Sequence, residues 1–348
     1  MIPQPAIVLG AGASHGAKVA SRRTPPLDGN FLPEAERIFS RLHRDGANRA
    51  QVEAWQDFKH HLSQAGLKFS EVREWRLEEL STFLEARANL KGLQLYQGRP
   101  REHAIALASL KRVVAQVLLA SGGQEVCSLH RLLIRSTKPS AVISFNYDLI
   151  ADQTMLDLGV LDWRAAAYRG AKCAMIPTKT GGQRTFRIPN SRRQGALPLF
   201  KLHGSIHFQA AGRGKGFRLS GARLPKQKGE LFDMVEIPDH PYLVPPIAAK
   251  IDVQQGTLKS RWYSAVDSLY KAKSWLIWGY SFPATDTISQ VLFRTALARN
   301  RRNKPVFVIN PDQSVARRIR KICKKVSVKQ FTSIEEFLHE FGVLVPNR

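Results

Sequence analysis

The chain has 348 residues, of which 43% are apolar, and its formal net charge is +25. This length exceeds what one compact core usually needs, so we expect one large domain with an insertion, or two domains. The apolar content excludes a wholly disordered chain. No apolar run reaches the roughly 18–20 residues of a membrane helix, and the apolar start lacks the basic segment of a signal peptide. We therefore expect a cytoplasmic protein with no membrane segment.

The cysteines and histidines exclude the common metal motifs. Cys127, Cys173 and Cys323 lie far apart and form no CxxC pair, and the sequence has no HExxH. Three cysteines cannot build a four-cysteine zinc site, and their spacing gives no disulfide framework. We therefore expect no metal centre.

Apolar runs that each end in a short polar motif recur five times along the chain. These predicted strands cover residues 6–9, 142–145, 198–202, 274–278 and 306–309, a further strand is predicted at 326–328, and helices are predicted over 149–158, 286–299, 313–324 and 334–340. Strands that are apolar on both faces and alternate with helices are typical of a parallel sheet covered on both sides. The sequence therefore predicts an α/β fold with a Rossmann-type parallel sheet.

Two stretches interrupt this alternation. Residues 31–139 show apolar positions at helical spacing, which predicts a helical insertion after the first strand. Residues 163–229 hold fifteen Lys and Arg and no Asp or Glu, and they predict a basic, irregular insertion apart from the third strand. The α/β domain is then formed by residues 1–30 and 140–348.

The polar motifs should meet in one crevice, because ligands of parallel sheets bind outside the carboxyl ends of the strands. Gly10, Ala11, Gly12 and Ser14 follow the first strand and are the candidate phosphate site, since glycines let a backbone approach a pyrophosphate. The spacing is not a full dinucleotide fingerprint, because His15 occupies the position of the third glycine. The alternative is a tight strand–helix turn without a ligand.

The second and third strand ends carry the candidate chemistry. Asn146 and Asp148 offer an amide and a carboxylate to ribose hydroxyls or a carboxamide, and the alternative for both is helix capping. His203 is expected at the end of a central strand, where a histidine is suited to proton transfer near neutral pH. The alternative is a structural histidine, which is the reading that we favour for His207.

The last two strand ends complete the rim. Gly279, followed by Tyr280 and Ser281, allows a cofactor to approach closely, and Asn310 is placed to meet an adenine ribose. A turn and a helix cap are the alternatives for these positions.

In this order, the motifs GAGAS, SFNYD, KLHGS, WGYSF and VINPD resemble the sirtuin family. The resemblance extends over the strands between residues 5 and 312, and it includes neither the helical insertion nor the basic one. The four-cysteine zinc module and the acyl-lysine tunnel motif of the deacylating sirtuins have no match. The chain is more similar to the NAD-degrading sirtuin-like proteins of bacterial antiphage defence, which share the PPL segment at 25–27, LHGS at 202–205, and GYS followed by Asp286.

The resemblance implies an NAD hydrolase that cleaves the nicotinamide–ribose bond, in an effector that depletes NAD during antiphage defence. It implies NAD as substrate, no zinc, a homo-oligomer and an activating protein partner. The implied catalytic residues are Asn146, Asp148 and His203. The implied NAD-binding residues are Gly10, Ala11, Gly12, Ser14, Asn146, Asp148, Gly279, Ser281, Asp286 and Asn310.

Two other functions stay open. The basic stretch 163–229, together with the basic region 294–329, predicts contacts to the phosphates of nucleic acid. The chain would then be a binding subunit with a nucleotide-sensing fold, or nucleic acid would be the trigger of its NAD cleavage. A solvated basic face or an acidic partner protein explains the same charge. An NAD-dependent protein deacylase is the remaining alternative.

Overall fold

The computed structural model describes most of the chain, and every structural statement below concerns the residues that it describes. These are residues 2–17, 24–45, 49–89, 100–161, 174–177, 183–186, 196–210, 217–219, 222–223, 233–234, 241–244, 256–283, 286–298, 304–323, 326–343 and 345.

Helices and strands alternate along the described chain. The strands are β1 (Pro5–Leu9), β2 (Ala141–Ser144), β3 (Ala174–Pro177), β4 (Gln183–Phe186), β5 (Leu199–Lys201), β6 (Gly204–Ala210), β7 (Phe217–Leu219), β8 (Ala222–Arg223), β9 (Asp233–Met234), β10 (Pro241–Leu243), β11 (Ser274–Trp278), β12 (Lys304–Ile309) and β13 (Val326–Phe331). The helices are α1 (Ala11–His15), α2 (Phe31–Arg44), α3 (Arg49–Gln64), α4 (Phe69–Val72), α5 (Leu77–Asn89), α6 (Pro100–Ala120), α7 (Ser128–Thr137), α8 (Ile150–Asp157), α9 (Gly256–Lys271), α10 (Thr287–Ala298), α11 (Ser314–Ile322) and α12 (Ile334–Glu340).

Six parallel strands form the main sheet, in the order β13-β12-β11-β1-β2-β5. The central strand β1 pairs with a neighbour on each side, so that Ile7 lies opposite both Leu276 and Val142. All five residues of β1 and of β11 are buried, as expected for strands covered on both faces. The predicted Rossmann-type parallel α/β fold is confirmed.

The strand order creates a crevice beside β1. From β1 the chain adds β2 and β5 on one side, then returns to place β11 on the other side and continues outward to β12 and β13. The turns that follow β1 and β11 lie side by side at the carboxyl edge of the sheet. Open α/β sheets bind their ligands at this edge, where the strand order reverses.

The position expected for the third predicted strand was wrong. That strand, β5, is the outermost strand on its side of the sheet and pairs only with β2 among the described strands. After two intervening residues, β6 begins a separate three-stranded antiparallel sheet with β7 and β10. The apolar run that indicated a central strand reflects burial from both faces, since Leu199, Phe200 and Leu202 all belong to the core.

The helices α2 to α6 build a second apolar core beside the sheet. Its aromatic centre includes Phe39 stacked on Trp55, with ring centroids 5.2 Å apart, and the long helix α6 packs against α3 and α5. By length and composition α6 is apolar enough to cross a membrane, but half of its apolar window is buried within the protein, and the core helix of a globular protein meets the same criterion. Helix α7 packs instead on the core of the sheet, through Leu129 and Leu133.

The basic insertion is described only in short pieces. Besides β5 of the main sheet, it contains β3 and β4, which pair with each other, β6 and β7 of the three-stranded sheet, and β8, which pairs with β9. Within 163–229 the structure describes only residues 174–177, 183–186, 196–210, 217–219 and 222–223, and most of what was predicted for the stretch lies outside the described residues.

Candidate active-site cleft

A cleft lies at the carboxyl edge of the sheet, between the sheet and the helical core. It encloses about 930 Å³ of empty space, part of which is open to solvent. One side, here called the sheet wall, is formed by Ala11, Ser14, Phe145, Asn146, Tyr147, Asp148, His203, Gly279, Tyr280, Ser281, Pro283 and Asp286. The other side, here called the helical wall, is formed by Pro25, Pro26, Asp28, Phe31, Arg76, Leu77, Glu78, Val114 and Leu118.

The glycine turn after β1 packs directly on the turn after β11. The Gly12 amide donates to the Gly279 carbonyl over 2.9 Å. Gly279 has a φ of +66°, and a Cβ there would lie 2.0 Å from the backbone nitrogen of Ala13. A Cβ at Gly10 would lie 2.4 Å from the Tyr280 Cα. These glycines are therefore required for the two turns to approach each other, whatever ligand the turns bind.

A closed hydrogen-bond network joins the first two strand ends. The Asn146 side-chain amide donates to the Gly10 carbonyl (2.9 Å) and to the Ser14 hydroxyl (2.8 Å). The Ser14 hydroxyl in turn donates to Asp148 over 2.6 Å, and the second oxygen of Asp148 accepts from the Ile150 amide over 3.1 Å. Both amide hydrogens of Asn146 are thus engaged, and its side-chain oxygen is the group that it can offer to a ligand.

A buried ion pair supports this network from behind. The side chains of Lys201 and Asp152 are both fully buried, with 3.2 Å between the ammonium and the carboxylate. The Lys201 ammonium also donates to the Asp148 carbonyl. Burial raises the pKa of the Asp148 carboxyl, while the nearby Lys201 charge and the Ser14 hydroxyl oppose that shift.

His203 lies in an aromatic part of the sheet wall. Its ring is 5.0 Å from Phe145, edge to face, and 6.3 Å from Trp262 of α9. Phe145 in turn stacks on Tyr280 with centroids 4.4 Å apart. The His203 carbonyl accepts from the Val244 amide over 2.8 Å, and the following Gly204 has a φ of +85° that brings β6 against β10. His203 thus lies in the sharp turn between β5 and β6, and Gly204 and Ser205 begin β6.

The loop after β11 brings Asp286 to the same place. Its Oδ2 accepts from the Tyr280 hydroxyl over 2.7 Å and lies 3.5 Å from His203 Nε2. Burial, followed by the charge of Asp286, holds the pKa of Tyr280 well above its ordinary value, so the phenol stays a donor.

The helical wall is held together by Asp28. One of its oxygens accepts from the Glu78 amide at the start of α5 (2.8 Å), and the other accepts from Arg76 (2.7 Å). Burial, and then the charges of Asp286, Asp28 and Glu78, hold the pKa of Tyr147 well above its ordinary value. The cleft therefore places the carboxyl groups of Asp28, Glu78, Asp148 and Asp286 around one space.

The predicted site residues are largely brought together. Ala11, Ser14, Asn146, Asp148, His203, Gly279, Ser281 and Asp286 line the cleft, and Gly10 and Gly12 shape the turn beneath it. Asn310 is not among the lining residues, because its side-chain oxygen caps its own turn by accepting from the Asp312 amide over 2.9 Å. His207 is buried within 3.0 Å of the Ser205 hydroxyl, and burial lowers its pKa to about 3, as fits a structural histidine.

The sequence did not indicate several lining residues. The stacking of Phe145 on Tyr280 carries no motif of its own. Arg76 and Glu78 lie just before and at the start of α5, far in the sequence from every strand end. Only Asp28 had a local signal, since it follows the PPL segment. Within the described ranges, no three His, Cys, Asp or Glu side chains are grouped so as to hold a metal ion, and Cys173 lies outside those ranges.

Comparison with known proteins gives a likeness of fold only. No protein-family model and no curated protein sequence matches the chain. Among solved structures, a Sir2 homologue in complex with NAD is 12% identical, covering 97% of this chain and 87% of its own, with a TM-score of 0.44. A mutant Sir2 homologue with 2'-O-acetyl ADP-ribose is 14% identical over 77% of this chain and 78% of its own, with a TM-score of 0.40. At such low scores, the function has to be argued from the cleft.

Proposed function

We propose that this chain binds NAD in the cleft as a substrate and hydrolyses its nicotinamide–ribose bond to nicotinamide and ADP-ribose. The observation that carries the proposal is the meeting of Ser14, Asn146, Asp148 and His203 in one cleft beside β1. These residues come from three strand ends that are far apart in the sequence. They meet where a sheet of this strand order binds nucleotides.

The chemistry needs little more than what the cleft offers. The nicotinamide ring of NAD carries a positive charge, so the C–N bond breaks with its electron pair going to the ring, and no acid has to protonate the leaving group. The ribose carbon becomes oxocarbenium-like, and a water oxygen bonds to it and releases a proton. His203 is the base that we assign to that proton. The negative charges of Asp28, Glu78 and Asp286, which also raise the pKa of Tyr147, favour the positive charge on the ribose.

Asn146 and Asp148 have different tasks in this proposal. The side-chain oxygen of Asn146 accepts a hydrogen bond from a ribose hydroxyl or from the carboxamide of nicotinamide. Asp148 is buried and engaged by Ser14 and Ile150, so it holds the two strand ends in register. In this proposal the backbone of the glycine turn binds the pyrophosphate, and Ser281 binds the adenosine half of NAD. Asn310 has no role in binding NAD, because its side chain caps its own turn.

The wider role remains a proposal that the motifs alone support. It comprises depletion of NAD in antiphage defence, a homo-oligomer, an activating protein partner and a cytoplasmic location. Nucleic-acid binding by the basic insertion stays a prediction as well, because most of that stretch lies outside the described residues.

The test is nicotinamide release by the purified chain. We expect His203→Ala to lower the rate by about 100-fold or more, which is the usual contribution of a positioned base. His339→Ala, which removes an exposed imidazole on α12, should match the wild type. Equal rates in the wild type and in His203→Ala would refute the assignment of the base.

The same assay separates the alternatives when an acyl-lysine peptide is added. A hydrolase consumes NAD without the peptide and forms ADP-ribose. A deacylase consumes NAD only with the peptide and forms acyl-ADP-ribose. A nucleotide-sensing subunit binds NAD, measured by calorimetry, and releases no nicotinamide with or without DNA or RNA.

A further inference from the structure

Asp286 and His203 approach each other from different strands. His203 follows β5, and Asp286 precedes α10, yet 3.5 Å separates His203 Nε2 from Asp286 Oδ2. The two side chains are 6% and 1% exposed. A histidine and a carboxylate so close in a buried setting interact strongly once the imidazole takes up a proton.

The carboxylate is held from two other directions. Asp286 Oδ1 accepts from the Ser289 amide over 3.4 Å, as an N-cap residue of α10 does. The Tyr280 hydroxyl donates to Oδ2 over 2.7 Å, and Tyr280 is itself held by its stacking on Phe145. Oδ2 therefore has a fixed position and remains an acceptor toward His203.

We propose that Asp286 is a positioning residue that pairs with His203 as a dyad, an inference that rests on the proposed function. Because an ionised carboxylate only accepts, the neutral imidazole carries its hydrogen on Nε2, facing Asp286, and keeps its lone pair on Nδ1. As the water oxygen bonds to the ribose carbon, Nδ1 takes the proton that the water loses. Asp286 then stabilises the resulting imidazolium without accepting a proton itself.

The 3.5 Å separation is compatible with this pairing. Catalytic hydrogen bonds are often long before the substrate is bound and shorten in the reacting complex. The other titratable groups that line the cleft around the dyad are Asp28, Arg76 and Glu78 from the helical wall, Tyr147 and Asp148 after β2, and Tyr280 after β11.

The competing explanation is that Asp286 serves only as a helix cap. Asp286→Asn distinguishes the two, because asparagine caps a helix about as well as aspartate but lacks the charge. Asp312→Asn is the matched control. Asp312 is an exposed aspartate outside the cleft that accepts from the Ser314 amide over 2.8 Å at the start of α11.

The kinetic experiment follows nicotinamide release against pH. We expect Asp286→Asn to lower kcat by about 10²- to 10⁴-fold, because the imidazole loses the carboxylate that fixes its tautomer, with KM for NAD changed by less than about threefold. The acidic limb of its profile should move to lower pH, because the imidazolium has lost its carboxylate. Asp312→Asn should follow the wild type. If Asp286→Asn keeps the wild-type kcat and profile while His203→Ala is inactive, the dyad is wrong and the hydrolase stands.

A second measurement does not depend on turnover. Nitrogen-15 NMR of the His203 ring should show hydrogen on Nε2 in the wild type and a mixture of tautomers in Asp286→Asn. Hydrogen on Nδ1 in the wild type, or spectra that Asp286→Asn leaves unchanged, would overturn the dyad. If the wild type releases no nicotinamide, the proposed hydrolase fails, and the NMR result still decides whether Asp286 and His203 pair.

Discussion

The two walls of the cleft are built in different ways. The sheet wall is a dense set of buried contacts, in which turns approach through glycines and polar side chains satisfy one another. The helical wall belongs to the second apolar core, and its polar contacts are partly exposed, such as the Asp28–Arg76 pair, whose side chains are 27% and 57% exposed. Buried contacts of the first kind tolerate little change, whereas exposed ion pairs contribute little to stability.

This difference separates two functions of the cleft. The residues to which we assign chemistry all lie on the sheet wall, where their positions are fixed by the sheet itself. The polar contacts of the helical wall are weaker, because their side chains are partly exposed. Substitutions on the two walls should therefore differ in size, and three matched pairs test that expectation.

The largest effect is expected where the two turns of the sheet wall touch. Gly279→Ala places a methyl group 2.0 Å from the Ala13 nitrogen at a φ of +66°, so we expect it to cost more than about 4 kcal/mol of the free energy of unfolding. Gly342→Ala is the control, because Gly342 has a φ of +71° with nothing within 4 Å. It should cost only about 1 kcal/mol for the backbone conformation. Urea denaturation measures both, and equal losses would show that the turns can separate.

A smaller loss is expected behind the sheet wall. Lys201→Met removes the Lys201 charge from the buried carboxylate of Asp152, and breaking a buried pair in this way typically costs about 3–5 kcal/mol. The control is Arg131→Met, which removes a pair with Asp157 whose side chains are 38% and 30% exposed, and it should cost under about 1 kcal/mol. Thermal unfolding should show a fall of roughly 10 °C for the first variant and a few degrees at most for the second. A loss in Lys201→Met as small as in the control would contradict a rigid sheet wall.

The smallest effects are expected on the helical wall. Asp28→Ala removes the carboxylate that accepts the hydrogen bond of the Glu78 amide. It should lower the free energy of unfolding by about 1 kcal/mol, as loss of a helix cap does. Arg76→Ala removes only the exposed partner and should cost less than about 0.5 kcal/mol. Both are measured by urea denaturation. If Asp28→Ala costs as much as Lys201→Met, the two walls are equally rigid and the comparison fails.

The sheet wall was predictable because its signals are local. An apolar run followed at once by a polar motif fixes both a buried strand and the edge where its motif lies, and this was enough to bring Ser14, Asn146 and His203 together. Asn310 has the same signal and instead caps its own turn. A motif at a strand end places a residue at the right edge, and the direction of its side chain depends on contacts that the pattern does not contain.

The helical wall was not predictable in the same way. Asp28 reaches Arg76 and the Glu78 amide across 48 and 50 residues of chain. Contacts of this kind depend on how the helices pack against one another. Helical periodicity predicts which face of a helix is buried, but it does not predict which element covers that face. The position of β5 at the edge of the sheet was missed for a similar reason, since burial from loops and helices resembles burial within a sheet.

The central claim is that the cleft hydrolyses NAD, and the most direct test is to identify the products formed by the wild-type chain. We would incubate it with NAD alone, with an acyl-lysine peptide, and with DNA or RNA, and quantify nicotinamide and ADP-ribose by chromatography. The account predicts equimolar nicotinamide and ADP-ribose in the absence of peptide. Nicotinamide formed only with the peptide, or no product under any of these conditions, would contradict it.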